Sequence, residues 1–294
     1  MKQLFISYLY RLRHDLTFKI TLLIGAGMAL FMSLLYFGLG KALETPMING
    51  QMMLYSSLSP AQNFGLAIPI NLITFTVMEF TQGSIRNKII AGNSKSKIYT
   101  SMFLNGLVFA FVLLTVYALL SFGLGIALAI PDAFDKDGVF QFSKCFDPNG
   151  SVGTGVGTAH YFLLKYIVIA VFVYIFLVAF TIFFASLFRN IGPSIPVVIL
   201  VIVLAYLAGS VIAALSGNNE TVIWTMRVID PFFGLSAGET EVVGMVFTPE
   251  GEPYFLYNSI ITTETFVSGI LSNIVYTAIF FFGGLLIFKK RDVK

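Results

Sequence analysis

Residues 160–188 read HYFLLKYIVIAVFVYIFLVAFTIFFASLF, an apolar run carrying a single fixed charge, Lys165. A helix crosses about 30 Å of hydrocarbon with roughly 20 residues at 1.5 Å each, and this run is longer than that. It does not alternate, and it exceeds the roughly ten residues of a barrel strand, so it predicts a helix that satisfies its own backbone groups in lipid. Five further stretches, 18–40, 61–82, 101–130, 195–215 and 265–288, have the same character.

The composition agrees. The 294 residues are 57% hydrophobic and 11% charged, with a mean hydropathy of +0.86. A soluble domain carries about 25% charged residues, and a disordered chain is poorer still in apolar side chains. Gly 26 and Pro 10 without a period exclude a collagen-like chain. One cysteine, Cys145, cannot form an internal disulfide, and no CxxC or Cys/His cluster offers a zinc site. The net charge of +3 is scattered, so no nucleic-acid partner is expected. The expectation is an all-α integral membrane protein with six transmembrane helices, forming a single domain over 1–294.

The first run is expected to be retained, because 20–40 outlasts a signal core and no small-x-small site follows Gly40. Ahead of it, Leu4, Phe5, Tyr8, Leu9, Leu12 and Leu16 share a helical face, with Lys2, Arg11, Arg13 and His14 mostly elsewhere. That pattern predicts an amphipathic in-plane helix over 1–17, lying along the cytoplasmic leaflet; the alternative is an inward extension of the first span. With the N-terminus inside, thirteen of the eighteen Lys and Arg residues are cytoplasmic and twelve of the fifteen acidic residues are outside, in accord with the positive-inside rule. Both termini are then cytoplasmic in a multi-pass protein of the cell membrane. The outer connections are 41–60, 131–159 and 216–264. The last, an extracellular segment, carries Trp224, Pro231, Phe232 and Phe233 as an apolar patch expected to cap or re-enter the bundle.

Catalytic signatures are missing. There is no GxxxxGK[ST] phosphate loop, HExxH or GxSxG. Gly153, Gly155 and Gly157 lack the dinucleotide spacing, and His14 and His160 lack carboxylate partners at motif spacing. The chain is expected not to be an enzyme and to bind no cofactor itself. Charges are absent from the middle of the spans: Lys165 is near enough to an outer end to snorkel, and Glu79 is about one turn from an inner end. Small residues recur every four positions at Ala205, Gly209 and Ala213, and at Ser121, Gly125 and Ala129, as close helix contacts require. The first of these stripes packs either within the chain or against a second copy.

The cytoplasmic loop over 83–100 is the distinctive segment. Ser84 can cap a short helix, Ile85, Ile89 and Ile90 give it an apolar face, and Gly92 with Asn93 can end it. Arg86, Lys88, Lys95 and Lys97 supply its charge. Positive-inside topology and anionic lipids account for the charge but not for the apolar face. Such a helix, hung between two spans, can insert its isoleucines into a soluble partner and pass that partner's motion to the membrane.

Residues 79–99, with the core GSIRNKIIAGNSKSKIY after Glu79, resemble the coupling region of type-2 ATP-binding-cassette (ABC-2) exporter permeases. That family shares the in-plane helix, six spans, inner termini and a large outer segment before the last span. The resemblance implies a permease half that pairs with a second permease copy, as a homo- or heterodimer, and with two cytoplasmic ABC ATPase subunits, which would bind ATP and Mg. Gly83, Ile85, Arg86, Asn87, Lys88, Ile89, Ile90 and Gly92 then belong to the coupling helix and its bounds. Arg86 and Lys88 would contact an acidic ATPase surface. Glu79 would hold the loop against the spans or the ATPase, with a solvated helix-end carboxylate as the plain alternative. The expected function is export of a hydrophobic or amphipathic substrate, a peptide, drug or lipid, driven by ATP hydrolysed on the partners. The alternatives are an ATP-independent secondary transporter or channel, and a non-transporting membrane anchor or regulator.

Overall fold

The computed structural model describes residues 2–42, 50–59, 64–133, 156–216, 244–247, 253–256 and 263–290, with isolated positions at 138, 140, 145, 225 and 231. These residues form nine α-helices and one short hairpin. The helices are α1 (Lys2–His14), α2 (Leu16–Ala42), α3 (Gly50–Leu58), α4 (Phe64–Thr81), α5 (Ser84–Ile90), α6 (Lys95–Ala129), α7 (Val156–Phe188), α8 (Ile191–Ser216) and α9 (Thr263–Lys290). A 3-10 turn follows α6 at Ile130–Ala133. Among the described residues, four helices are long and apolar enough to cross a membrane: Leu16–Ala42, Lys95–Ala129, Leu164–Phe188 and Phe266–Lys290. That is the pattern of a multi-pass membrane protein. The second and fifth expected spans are also helical, but their apolar stretches, Ala67–Thr81 and Ile191–Ala205, are shorter.

The central rod is α7, which packs against α3, α4, α6, α8 and α9. In its most apolar window 61% of residues are buried, against 17% in α9 and 22% in α2. A helix apolar all round suits such a position because no face has to meet water. Phe176, Phe180 and Phe183 of α7 meet Tyr276 and Phe280 of α9, with ring centroids 5.1–5.9 Å apart for Phe176–Tyr276, Phe176–Phe280, Phe180–Phe280 and Phe183–Phe280. Part of the chain's aromatic wealth is therefore packing between these two helices. Gly106 of α6 brings α4 and α7 close: a Cβ there would lie 2.9 Å from Val178 Cγ1 and 3.3 Å from Leu72 Cδ1.

The expected stripe Ser121, Gly125, Ala129 is buried within this chain. A second stripe, Thr21, Gly25, Ala29 and Ser33, is buried on α2, which packs along α6. Of the other stripe, Ala205 is half-buried against the core; the side-chain surroundings at Gly209 and Ala213 lie outside the described residues.

The bundle is all-helical, as expected; the segment expected to be extracellular adds one short pairing, Gly244–Phe247 antiparallel to Pro253–Leu256, with Gly244 opposite Leu256 and Phe247 opposite Pro253. The connection 41–60 contains α3, which packs on α6 and α7. Other expectations are corrected. Leu16 does not continue the apolar face of α1. It starts α2 and is 69% exposed, because Asp15 breaks the helix and accepts from Thr17 N at 2.7 Å. Lys165 is covered, 7% exposed, with Nζ 5.8 Å from the ring centroid of Phe266 near the start of α9. Of the outer apolar patch, Trp224, Phe232 and Phe233 lie outside the described residues, while the Pro231 carbonyl accepts from Asn273 Nδ2 of α9 at 2.9 Å.

Candidate functional site

The residues singled out in sequence converge at one end of the bundle, where α4 stops, α5 turns and α6 begins. Gly83 makes the first turn. Its φ of 68° lies in the left-handed region that only glycine enters freely, and its carbonyl accepts from Asn87 N at 3.1 Å to start α5. Gly83, not Ser84, therefore holds the cap position, and it brings no capping side chain. Gly92, with φ of 84°, makes the second turn: its N–H donates to the Ile89 carbonyl at 2.9 Å, and Asn93 N–H to the Lys88 carbonyl at 3.2 Å. This pair of bonds is the Schellman closure that a glycine after a helix permits. Ser94 then caps α6 by accepting from Lys97 N. Both glycines have open space where a Cβ would go, so conformation alone demands them.

Between these turns α5 presents two faces. Ile85 is fully buried and Ile89 packs partly against the core, whereas Ile90 is 73% exposed and Arg86, Asn87 and Gly92 are exposed. The expectation that the isoleucines enter a partner together is thus corrected: two of them fasten the helix to the bundle, and one faces outward. Lys88 is corrected likewise. It points inward to Glu79 and lies 3.6 Å from the centroid of the Tyr8 ring.

Glu79 is the centre of this end. Its side chain is 1% exposed, so it is not a solvated helix-end carboxylate. One oxygen accepts from Arg11 of α1 and the other from Lys88 of α5. Arg11 also donates to Gln82 Oε1 at 3.2 Å and lies 5.1 Å from the Phe75 ring centroid. A buried carboxylate costs several kcal/mol unless its charge is matched and its lone pairs are occupied, and here each oxygen has its own cation. Burial, which favours the uncharged form, lowers the Lys88 pKa from its ordinary value while Glu79 acts in the opposite direction. Burial first, and the Glu79 charge second, hold the Tyr8 phenol well above its usual range, so it stays protonated.

The neighbouring residue, Phe80, ties in the remaining helices. Its ring meets Phe288 of α9 edge-on at 5.8 Å, and Phe288 meets Tyr99 of α6 at 5.7 Å. Arg189, at the α7–α8 turn with φ of 52°, lies 5.1 Å from the Phe80 ring centroid. Tyr99 packs over Gly284 so closely that a Cβ on Gly284 would overlap its hydroxyl. Lys95 donates to the carbonyl of Lys289 at 3.0 Å, joining the start of α6 to the end of α9. Displacing α5 would therefore act on α1 and α4 through charge, and on α6, α7 and α9 through packed rings.

Sequence reasoning named Glu79 and Lys88 but not their partners Arg11, Tyr8 and Gln82. The available signal was the lone carboxylate in an apolar helix, which calls for cations nearby. No family model, curated protein or solved structure matches this chain. The reading of the site rests on its own geometry.

Proposed function

We propose that this chain is the membrane-spanning permease subunit of an ATP-driven exporter, with α5 as the element through which separate ATPase subunits move the bundle. The reading keeps six spans, adding the helices around Ala67–Thr81 and Ile191–Ala205 to the four longer ones. It places α1, α5 and both termini on the cytoplasmic side, and pairs the chain with a second permease copy and two ATP- and Mg-binding ATPases. A hydrophobic or amphipathic substrate suits its apolar surface.

The observation that carries the reading is the division of α5. A two-turn helix needs no buried ion pair merely to connect two spans. This one is fixed on its inner side by Glu79–Lys88 and Ile85, while its outer side leaves Arg86, Asn87 and Ile90 exposed. A lever has to be stiff toward the load and open toward the motor. A secondary transporter or channel has no use for the outer face, and a passive anchor has no use for the inner one.

The test is to purify the chain in lipid with candidate ATPases and measure ATP turnover and substrate efflux. Arg86→Glu is expected to lower turnover stimulated by the permease and to abolish efflux, with the bundle still folded. Efflux that persists in Arg86→Glu, or uphill transport by the chain with no ATPase present, would overturn the proposal.

A further inference from the structure

Asn273 is a fully buried residue of α9. Its Nδ2 donates to two carbonyls, that of Gly269 in the same helix at 2.7 Å and that of Pro231 at 2.9 Å. Pro231 stands 42 residues earlier in the chain, between α8 and α9. We infer that Asn273 tethers Pro231 within the hydrocarbon layer, so that the chain between α8 and α9 re-enters the membrane at that point and moves with α9. The inference rests on α9 spanning a bilayer, and not on the proposed coupling to ATPases.

Depth follows from position along the helix. The exposed pair Lys289 and Lys290 marks one membrane surface. Toward the other end, Phe266 of α9 lies beside Lys165, the single fixed charge in residues 160–188. At 1.5 Å per residue Phe266 is about 34 Å from Lys289, close to the roughly 30 Å of hydrocarbon. Asn273 is about 24 Å from Lys289, hence about 6 Å inside the far edge of that layer. Any tilt of α9 brings it deeper. A backbone carbonyl outside a helix finds no water at that depth, and it is tolerated only where protein covers it and supplies a donor. Pro231 is partly buried, and Asn273 is its donor.

The chemistry of the amide fixes which way it faces. Only the nitrogen carries hydrogens, so a side chain set between two carbonyls turns Nδ2 to both of them. Oδ1 then points away, buried and without a partner. Asn71 and Asn105 show the plainer case, in which the amide donates only to the carbonyl four residues back in its own helix. Asn273 makes that bond and adds one to a distant part of the chain. The competing reading is that the bond to Gly269 alone accounts for the residue.

The full chain with Cys145→Ala, in nanodiscs that leave both membrane faces open to solvent, would be treated with a charged, water-soluble maleimide. Pro231→Cys is expected to react about tenfold more slowly than Lys290→Cys, because a thiol in apolar surroundings forms little thiolate. Adding Asn273→Ala should raise the Pro231→Cys rate several-fold. Asn273→Thr should raise it as well, although its hydroxyl still reaches the Gly269 carbonyl, and this variant decides the matter should Asn273→Ala fail to fold. Labelling of Pro231→Cys as fast as Lys290→Cys with Asn273 in place, or a rate that neither variant changes, would overturn the tether. A rate raised by Asn273→Ala but not by Asn273→Thr would assign the amide to its own helix and overturn it too. None of these readouts involves ATP, so failure of the tether and failure of the exporter reading are separate results.

Discussion

The two faces of α5 differ in kind although they are made from the same residue types. Lys88 and Arg86 are two positions apart, and Ile89 and Ile90 are adjacent, yet one cation is half-buried against Glu79 and the other is exposed, and one isoleucine is packed while the other is 73% exposed. At 100° per residue, a step of one or two positions moves a side chain to another face. The inner face is therefore a matter of stability and, in the proposed function, the outer face is a matter of partners, so substitutions on each should separate cleanly. A charge or apolar count over the loop cannot make that distinction.

Breaking the inner face should have the largest effect. Glu79→Ala leaves Arg11 and Lys88, whose side chains are 30% and 17% exposed, without their counter-charge, and each of the two hydrogen bonds to a charged group that it removes is worth about 1.5–3 kcal/mol. A marked drop in the thermal unfolding midpoint of the purified protein is expected. A midpoint unchanged from the native value would show that the carboxylate does not hold α1 and α5.

The next effect should come from the bundle on which α5 leans. Gly284→Ala introduces a methyl that overlaps the Tyr99 hydroxyl and lies 2.9 Å from its Cζ. Overpacking of this kind costs about 1–3 kcal/mol. Tyr99→Phe in the same chain should recover part of the loss by removing the nearest atom. Additive destabilisation in the double variant would exclude this contact as the cause. A smaller effect is expected for Gly92→Ala, which forces a side chain to adopt φ of 84° at a cost of about 1 kcal/mol, with no steric clash to add to it. Faster hydrogen exchange confined to α5 would report it.

What could be read in the sequence follows from how local the signal is. The apolar runs, the break after α1, and α5 with its two glycines are short-range patterns, and the long helices other than α6 end within about four residues of their expected bounds, whereas α6 starts at Lys95, inside the expected loop 83–100. The centrality of α7 was not legible, because a helix apolar on all sides gives the same periodicity whether it is ringed by protein or by lipid. The small-residue stripe from Thr21 to Ser33 was legible in the four-residue spacing and went unnoticed among larger neighbours. The hairpin is a single pairing of two four-residue strands in a long connection, at the lower limit of the length at which alternation declares a strand. The cations that neutralise Glu79 come from 68 residues before it and nine after it, a separation that no local pattern spans.

The smallest effect on stability should accompany a large effect on partnership. In Arg86→Glu with Ile90→Ser, both altered side chains are exposed, and neither residue lies in the Glu79 cluster. Surface changes of this kind usually stay within about 0.5 kcal/mol, so the unfolding midpoint should match that of the native chain. The charge reversal, however, opposes association with an acidic surface, and the serine removes the one apolar side chain that α5 extends outward. If α5 couples as proposed, ATP turnover of co-purified ATPases should then lose its dependence on this chain, while Glu79→Ala, assayed below its lowered midpoint, should weaken that dependence by loosening α5. If the outer-face variant melted early instead, α5 would be a structural strut on both sides. If it melted normally and coupled normally, the motor would have to grip the bundle elsewhere.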